Sequence, residues 1–317
     1  MLERTLEDDA HLFDLIEDFF RSGFSTDNPL ITEAIKRMLA AGGKRLRPRM
    51  TLLAAQAGGS DPRAHLPLAA YMELIHVATL IHDDVVDNAD TRRGVNATAI
   101  DYGNRISVLA GDYLFAWIFK NVTAGYPHPV PNILSSTLAD ICDGEVLQLR
   151  ALGDVTLTLP AYTEIVRKKT ASLFAASAEC GAIMGGSGAK AIDALRDYGT
   201  NYGIAFQIRD DVLDVTEASA TIGKPAGNDL RERKMTIPLI FALRDAGDEF
   251  CHAAERFFDG KDEAQAAVLE GIARFGVEPS LDHAARYTDR AKQDLKSIDE
   301  GPAKAELIRL ADALASR

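Results

Sequence analysis

Two copies of the pattern Asp-Asp-x-x-Asp carry most of the chemistry that this sequence can perform. The first copy runs from Asp83 to Asp87 and the second from Asp210 to Asp214, each inside a long apolar stretch. A buried carboxylate costs several kcal/mol unless a positive charge or hydrogen bonds compensate it. Hard divalent cations bound by oxygen are the usual compensation, and Mg²⁺ commonly completes its octahedron with phosphate oxygens. The two copies therefore predict a site that handles a diphosphate between two facing helices.

Helical spacing places these carboxylates on common stripes. With 3.6 residues per turn, Asp83 and Asp87 lie one turn apart, and His76 lies two turns before Asp83. In the second copy, Gln207 stands one and two turns before the later aspartates. A solvated helix face would explain a single copy equally well, but two copies flanked by Leu, Ile and Val favour metal binding. An EF-hand is excluded because neither copy has the alternating ligands and central glycine of that loop.

Basic residues occur where a diphosphate would need counter-charges. Residues 42–48 read GGKRLRP, a glycine turn that carries cations into a helix expected to begin at Pro48. Flexible backbone with several cations suits a pyrophosphate. Further basic residues follow each acidic copy or the mid-chain break, namely Arg92, Arg93, Lys168, Lys169, Lys224 and Lys234. Taken alone, a basic loop before a helix is more often solvated surface.

The elements that must position these residues are predicted to be helices throughout, which makes the fold class all-α. Apolar residues recur every three or four positions, and no convincing strand alternation is found. Helices are predicted at 5–22, 27–41, 48–58, 66–88, 104–121, 132–149, 161–186, 190–216, 234–246, 249–258, 263–275, 279–297 and 302–316. Breaks are predicted at Gly58-Gly59, residues 126–131, Gly185-Gly186 and Gly301-Pro302. Helices 66–88 and 190–216 are apolar around most of their circumference and should lie at the centre of a bundle.

Composition limits the class of protein. The chain has 317 residues, 47% of them hydrophobic, which is enough to bury a large single core. A formal net charge of -12 and a pI near 5.1 argue against nucleic acid as a partner. No signal peptide is recognised, and no apolar run reaches the length of about 18 to 20 residues that a transmembrane helix requires. We therefore expect a cytoplasmic protein.

The motifs together resemble those of the trans-isoprenyl diphosphate synthases, also called polyprenyl synthetases. The resemblance covers residues 35–240 and rests on many motifs in the same order. They are GGKRLRP at 42–48, HDDVVDNADTRRG at 82–94, Gly111-Asp112, GEVLQL at 144–149, Lys169-Thr170, FQIRDDVLD at 206–214, and Gly223-Lys224 through Pro238. One departure is Arg233, which stands before Lys234 where the family often has glycine. The departure affects only the detail of this loop, because Lys234 and Thr236 are present.

The resemblance implies the architecture and the partners. The fold would be an isoprenoid synthase-type bundle of long, mostly antiparallel helices around a central cavity. Residues 1–317 would form one polyprenyl synthetase domain, with structural helices at 241–317. The enzyme would be a prenyltransferase that uses Mg²⁺, three ions per active site, and works as a homodimer. Its substrates would be isopentenyl diphosphate and an allylic diphosphate. The enzyme would contact a membrane transiently when it releases its product.

The resemblance also assigns roles to individual positions. Isopentenyl diphosphate would bind to Lys44, Arg47, His76 and Arg93. The allylic diphosphate would be held through Mg²⁺ by Asp83, Asp87 and Asp210. Direct contacts to the allylic substrate would come from Arg92, Lys169, Thr170, Gln207, Lys224 and Lys234. Asp84, Asp211 and Asp214 would contribute to catalysis indirectly or through water, and Lys169 belongs to the catalytic set as well.

Product length is predicted from the residues just before the first acidic copy. In the family, the side chains five and four positions before that copy form the upper wall of the product cavity, and aromatic residues there stop growth early. This chain has Ala78 and Thr79, so the resemblance implies a long product of eight to ten isoprene units, as in octaprenyl or decaprenyl diphosphate, for a quinone side chain. The alternatives are a shorter-chain farnesyl or geranylgeranyl synthase and a non-catalytic partner subunit. A terpene cyclase or head-to-head condensing enzyme would not need Lys44, Arg47 and Arg93.

Overall fold

Helices account for nearly all of the chain that the structure describes. The structure is a computed structural model, and it describes residues 14–24, 26–87, 89, 91–92, 95–216 and 227–315. The α-helices numbered in chain order are α1 Pro29–Ala40, α2 Leu46–Ala57, α3 Leu66–Val86, α4 Thr98–Tyr102, α5 Asn104–Gly125, α6 Val130–Arg150, α7 Leu159–Val166, α8 Ser172–Met184, α9 Ala189–Thr216, α10 Asn228–Arg231, α11 Ile237–Asp245, α12 Asp248–Phe258, α13 Gln265–Gly271, α14 Val277–Asp294 and α15 Pro302–Ala315. Residues 14–18 are helical as well.

Shorter helical turns join some of these helices. The π-helical turns are Phe19–Gly23, Arg167–Ala171 and Ile272–Gly276, and the 3₁₀ turns are Pro62–His65, Asp262–Ala264 and Leu295–Ser297. The helix predicted at 161–186 is therefore α7 and α8 joined by a π-helical turn. A π turn inserts one residue into an otherwise continuous helix. The apolar period alone does not reveal that insertion.

Three local expectations were wrong. Helix α2 begins at Leu46, because Arg45 adopts the left-handed conformation (φ 47°, ψ 39°) that ends the preceding loop. The chain also contains two strands, β1 Thr91–Arg92 and β2 Val95–Asn96, which pair antiparallel with Thr91 opposite Asn96. Strands of two residues are too short to show an alternating pattern. The one-turn helix α10 was missed for the same reason.

One stretch is longer and more apolar than the sequence analysis expected. By length and hydropathy alone, Pro62–Val86 could cross a membrane, with a mean hydropathy of 1.3. However, 67% of its most apolar window is buried inside the protein. The core helix of a soluble protein has the same properties.

Contacts between Cα atoms divide the chain into two compact units. Unit 1 comprises Met1–Ser135, Ala176–Arg196 and Ser297–Leu307, and unit 2 comprises Ser136–Ala175, Asp197–Lys296 and Ile308–Arg317. The first acidic segment, Asp83 to Asp87, belongs to unit 1. The second, Asp210 to Asp214, belongs to unit 2.

Helix α3 is the central helix of unit 1. Its buried side chains include Met72, Leu74 and Ile75, which project in different directions around the helix, as its sequence predicted. Aromatic rings hold its first half. The only tryptophan, Trp117 on α5, meets the ring of Tyr71 edge-on with centroids 5.8 Å apart and the ring of Phe24 with centroids 5.1 Å apart. Such pairs stabilise a core beyond the area they bury.

Unit 2 has its apolar core around the C-terminal part of α9. One cluster joins residues of α7, the π-helical turn after it, α9, α11 and α14, and its members are Tyr162, Val166, Ala171, Ile204, Ile208, Ile237, Phe241 and Ala284. The second acidic segment follows directly on Ile204 and Ile208. Its helix is therefore anchored by packing on a face that points away from Asp210, the one exposed carboxylate of this segment.

Candidate active site

The first acidic segment occupies the C-terminal end of α3. Asp83 and Asp84 lie in the last turn, and Asp87 is the residue that caps the helix. Asp84 is fully buried, whereas Asp83 and Asp87 are half-buried. The C-terminal end of a helix carries a partial negative charge that disfavours carboxylates. The last turn of this described helix has no basic residue, and a cation bound beside it would offset the negative charge.

His82 connects this segment to α5. Its Nε2 atom lies 3.1 Å from the carbonyl oxygen of Val108 and 3.5 Å from a carboxylate oxygen of Asp112. A Cβ atom at Gly111 would lie 2.2 Å from the same nitrogen. Only glycine therefore lets α5 approach this closely while His82 keeps its position. His82 was not among the predicted site residues, although Gly111-Asp112 was among the motifs.

Three of the four residues predicted to bind isopentenyl diphosphate are described by the structure, and they lie in unit 1 with the first acidic segment. Lys44 is exposed in the loop before α2, Arg47 is 9% exposed in the first turn of α2, and His76 is half-buried on α3. Arg93 lies outside the described residues, and so does Lys224 of the allylic set. Arg92 lies in β1.

The second acidic segment lies wholly inside α9, near its C-terminal end. Asp210 is exposed, whereas Asp211 is only 4% exposed. Both carboxylate oxygens of Asp211 accept hydrogen bonds. The Tyr162 hydroxyl donates to Oδ2 over 2.6 Å, and the Gln207 amide donates to Oδ1 over 2.9 Å. Asp211 is thus held by the protein itself.

Thr170 and Gln207, both predicted for the allylic site, are in contact. The Thr170 hydroxyl donates to Oε1 of Gln207 over 2.8 Å. Since the amide nitrogen of Gln207 donates to Asp211, both ends of the amide are held. A chain of hydrogen bonds therefore runs from Tyr162 through Asp211 and Gln207 to Thr170. Sequence reasoning missed Tyr162, because a tyrosine in an apolar helix gives no signal of its partner.

Asp214 holds the start of α10. Its two carboxylate oxygens accept from the backbone N–H groups of Asn228, over 3.2 Å, and Asp229, over 3.1 Å. These are donors at the N-terminal end of a helix, where negative charge is favoured. The backbone of Asp229 in turn accepts from the N–H of Lys234 over 2.8 Å, and the Lys234 ammonium pairs with Glu232 at 2.6 Å. Asp214 therefore organises the segment that carries Lys234.

Negative charge accumulates in this part of unit 2. Burial raises the pKa of Asp211 to about 7, against the lowering effect of the hydrogen bonds from Tyr162 and Gln207. Burial also raises the pKa of Asp214. The pKa of Asp229 is raised well above its usual range by burial and then by the charges of Asp211 and Asp214. A cation bound here would relieve this repulsion.

The carboxylates of the acidic segments are ligands of the kind that Mg²⁺ uses. Within the described part of the chain, no three or more His, Cys, Asp or Glu side chains are gathered closely enough to hold a metal on their own. Mg²⁺ is commonly bound by one or two carboxylates, with phosphate oxygens and water as the other ligands. Oxygen donors with excess negative charge, such as Asp210, fit that arrangement.

Lys169 lies on the π-helical turn between α7 and α8. Its ammonium group forms an ion pair with Glu145 of α6, and Lys168 pairs with Asp143 at 3.1 Å. A Cβ atom at Gly144 would lie 2.5 Å from the backbone nitrogen of Lys169, so glycine permits the close crossing of α6 and the turn. Single π turns in helices are frequent at functional sites. Glu145 was not predicted as a site residue, although it lies in the motif GEVLQL.

Comparison with known proteins gives a consistent result. A family model described as polyprenyl synthetase matches residues 28–274. The geranylgeranyl diphosphate synthase of Methanosarcina mazei is 38% identical over 90% of this chain and 89% of its own length. The octaprenyl diphosphate synthase of Escherichia coli is 34% identical over 92% of each chain. A crystal structure of polyprenyl synthase from Caulobacter crescentus, complexed with calcium and isoprenyl diphosphate, superposes with a TM-score of 0.91 at 39% identity, covering 100% of this chain and 96% of that one.

Proposed function

Because the chain belongs to the polyprenyl synthetase family and is a prenyltransferase with the all-α isoprenoid synthase fold, we propose that it is a long-chain trans-polyprenyl diphosphate synthase. It condenses isopentenyl diphosphate head to tail onto an allylic diphosphate, up to eight to ten isoprene units for a quinone side chain. One observation carries the catalytic part of the proposal. Both acidic segments are intact, and each lies near the C-terminal end of a long helix, where the negative end of the helix dipole favours a bound cation.

Mg²⁺ is the cation proposed for both segments. The family depends on this ion, and three ions per active site are proposed here. Asp83, Asp87 and Asp210 are the proposed ligands, since these three carboxylates are at least partly accessible while Asp84 and Asp211 are buried. When bound, the metal supplies positive charge that stabilises the diphosphate leaving group.

The protein side chains contribute the remaining charges. Lys44, Arg47, His76 and Arg93 are proposed to bind isopentenyl diphosphate. Arg92, Lys169, Lys224 and Lys234 are proposed to contact the phosphates of the allylic substrate. Lys169 forms an ion pair with Glu145, and Lys234 forms one with Glu232. Each lysine therefore exchanges a carboxylate partner for a phosphate when substrate binds.

The reaction follows from this arrangement. As the allylic carbon–oxygen bond breaks, the cationic side chains stabilise the charge that develops on the departing diphosphate. The double bond of isopentenyl diphosphate attacks the allylic cation and forms the new carbon–carbon bond. Loss of a proton to the released diphosphate then gives a chain five carbons longer. Gln207 and Thr170 line the allylic site with a fixed amide and hydroxyl, and no covalent intermediate with the protein is needed.

Substrate assignment is testable with two lysines. Lys44→Ala should chiefly raise the KM for isopentenyl diphosphate, and Lys169→Ala the KM for the allylic substrate. Losing one charged partner of a diphosphate costs about 2 to 5 kcal/mol. Lys120→Ala, at an exposed position of α5, is the matched control and should change neither constant. Equal effects of both site variants on both substrates would overturn the division of roles.

Chain length is proposed from the wall above the growing product. Ala78 is fully buried on α3, and the Thr79 hydroxyl donates to the carbonyl oxygen of His76 over 2.8 Å. Neither side chain is bulky, which supports an open path for a long product. The octaprenyl synthase of Escherichia coli is a relative that supports this length. A geranylgeranyl synthase is the second candidate, favoured by the 38% identity to the enzyme from Methanosarcina mazei.

Product sizing tests these two candidates. The purified chain is incubated with Mg²⁺, isopentenyl diphosphate and each of several allylic primers, and the dephosphorylated products are separated by chromatography. Products of eight to ten units support the proposal, and products that stop at four units support the second candidate. Absence of any product from the isolated chain would indicate a partner subunit instead. Ala78→Phe should shorten the product to three or four units, because a packed wall does not absorb a ring cheaply.

We propose that each chain forms one polyprenyl synthetase domain and that two chains assemble into a homodimer. The homodimer is proposed from the family resemblance. Light scattering on the purified chain tests it, and a monomer that turns over at the full rate would contradict it.

A further inference from the structure

We propose that Arg45 is a positioning residue for isopentenyl diphosphate, which sets the geometry of Lys44 and Arg47 relative to His76 without touching the substrate. This inference rests on the proposed function, which places those three residues at the diphosphate. Arg45 lies in the middle of GGKRLRP and has no role among the assigned site residues. Its backbone, its side chain and its partners all point to an anchor.

The backbone of Arg45 is strained. Its φ of 47° and ψ of 39° lie in the left-handed region. For a residue with a Cβ atom this conformation costs roughly 1 to 2 kcal/mol. Such conformations persist only where the surrounding structure enforces them, and they cluster at functional sites. Gly42 and Gly43 before it also have positive φ, so three of the four residues before α2 depart from ordinary backbone.

The side chain of Arg45 explains why the strain persists. The guanidinium is 1% exposed and donates from Nε to Glu17 over 2.6 Å, from Nη1 to Glu73 over 2.9 Å and from Nη2 to the carbonyl oxygen of Leu39 over 2.9 Å. It also lies over the ring of Phe20, with 5.0 Å from Cζ to the ring centroid. These contacts come from three separate parts of unit 1, namely the N-terminal helical segment, α1 and α3. They fix both the position and the direction of the loop.

The position of Arg45 sets the positions of the neighbouring basic side chains, Lys44 and Arg47. The carbonyl oxygen of Arg45 accepts from the N–H of Arg49 over 3.1 Å, which sets the start of α2. Because Arg47 lies in the first turn, the direction of its side chain depends on that start. Lys44, on the other side, is left exposed.

Glu73 connects the anchor to His76. Both residues lie on α3, one helical turn apart, and Glu73 is 3% exposed. The ion pair of Arg45 with Glu73 therefore ties the basic loop to the helix that carries His76. A buried ion pair adds little net stability compared with an apolar contact, but it specifies one arrangement. Here the arrangement specified is the spacing between the loop cations and the histidine.

Three variants test the anchor by steady-state kinetics with each substrate varied in turn. Arg45→Gly accepts the left-handed backbone without strain but removes the guanidinium. Glu73→Gln keeps the shape and removes the charge, and Glu17→Gln does the same at the partly exposed partner. We expect the KM for isopentenyl diphosphate to rise about tenfold or more for Arg45→Gly, since displacements of about 1 Å cost as much as 10²-fold. Glu73→Gln should have a smaller effect of the same kind, and Glu17→Gln the smallest. The KM for the allylic substrate and kcat should stay close to wild type.

The matched control is Arg49→Met. It removes a guanidinium that lies on α2 and pairs with Glu306, and it should lower the melting temperature without changing the KM for isopentenyl diphosphate. If Arg45→Gly and Glu73→Gln lower the melting temperature and leave that KM within about twofold of wild type, Arg45 is only structural and the inference is wrong. Where Arg45→Gly fails to fold, Glu73→Gln decides by the same criterion. A wild-type chain without turnover, or an unchanged KM in Lys44→Ala, would instead contradict the proposed function.

Discussion

The two acidic segments share a five-residue pattern but differ in what surrounds it. In the first, Asp84 is fully buried at the end of α3 and Asp87 lies just beyond the helix. In the second, all three aspartates lie inside α9, and the protein itself supplies donors to two of them. Asp211 accepts from Tyr162 and Gln207, and Asp214 accepts from the start of α10.

This difference shows that position in the pattern does not by itself define a role. A carboxylate that accepts a protein hydrogen bond at each of its two oxygens has fewer lone pairs left to bind a metal ion. In the second segment only Asp210 is exposed, which supports Asp210 as the metal ligand. Asp211 and Asp214 instead hold Gln207 and the segment before Lys234. The following predictions test this asymmetry.

The largest effect is expected at the first segment. Asp83→Ala or Asp87→Ala should lower kcat about 10³-fold or more, because several kcal/mol of charge stabilisation are lost with a metal ligand. The melting temperature should not fall, since removing a carboxylate from a helix C-terminus relieves an unfavourable interaction. Steady-state kinetics and thermal unfolding measure both. Asp193→Ala, at an exposed aspartate of α9, is the control. A wild-type kcat in Asp83→Ala or Asp87→Ala would contradict the assignment of these residues as metal ligands.

The second prediction compares neighbours in the second segment. Asp210→Ala should lower kcat about 10²-fold to 10³-fold with little change in stability. Asp211→Asn should lower kcat about tenfold and should also destabilise the fold. Asparagine has a single side-chain oxygen, so either the Tyr162 hydroxyl or the Gln207 amide loses its acceptor, at a cost of about 1 to 3 kcal/mol. Kinetics and denaturant unfolding of both variants check this. An Asp211→Asn enzyme with a lower kcat than Asp210→Ala would reverse the roles.

The third prediction concerns the two glycines that permit close approach near the segments. Gly144→Ala places a Cβ atom 2.5 Å from the backbone of Lys169, whereas Gly111→Ala meets the ring of His82. Backbone cannot turn aside and a side chain can, so Gly144→Ala should be more destabilising, by about 1 to 3 kcal/mol. It should also raise the KM for the allylic substrate. A larger loss of stability in Gly111→Ala would show that His82 is held as firmly as the π-helical turn.

The smallest effect is expected from Tyr162→Phe. The ring keeps its packing, and one hydrogen bond to Asp211 is lost, which is worth about 1 kcal/mol or roughly fivefold. The loss should appear in the KM for the allylic substrate, because Asp211 orients Gln207. Tyr287→Phe, another tyrosine of unit 2 that stacks with Arg290, is the control. A loss of more than about 100-fold would mean that Tyr162 takes part in the chemistry.

Much of the fold was predictable because long helices leave a periodic signal. The predicted starts of α5 and α9 lie within one residue of the observed starts. The predicted glycine breaks at 58–59 and 185–186 fall between helices. The start of α2 was wrong because it depends on Arg45, whose left-handed backbone is enforced by distant partners. The π-helical turn at Lys169 was not predictable, since the apolar period of residues 161–186 does not reveal an inserted residue.

The sequence by itself determined the family, the helical class and the identity of the acidic and basic residues, because these follow from residue type, order and spacing along the chain. Only the tertiary structure decided how neighbouring residues of the same charge differ in their surroundings. It separates the exposed Asp210 from Asp211, and the exposed Lys44 from Arg45 beside it. It also revealed Tyr162, Glu73 and Glu145 as partners of motif residues. Burial and hydrogen bonding between residues far apart in sequence set these distinctions, and no local pattern records them.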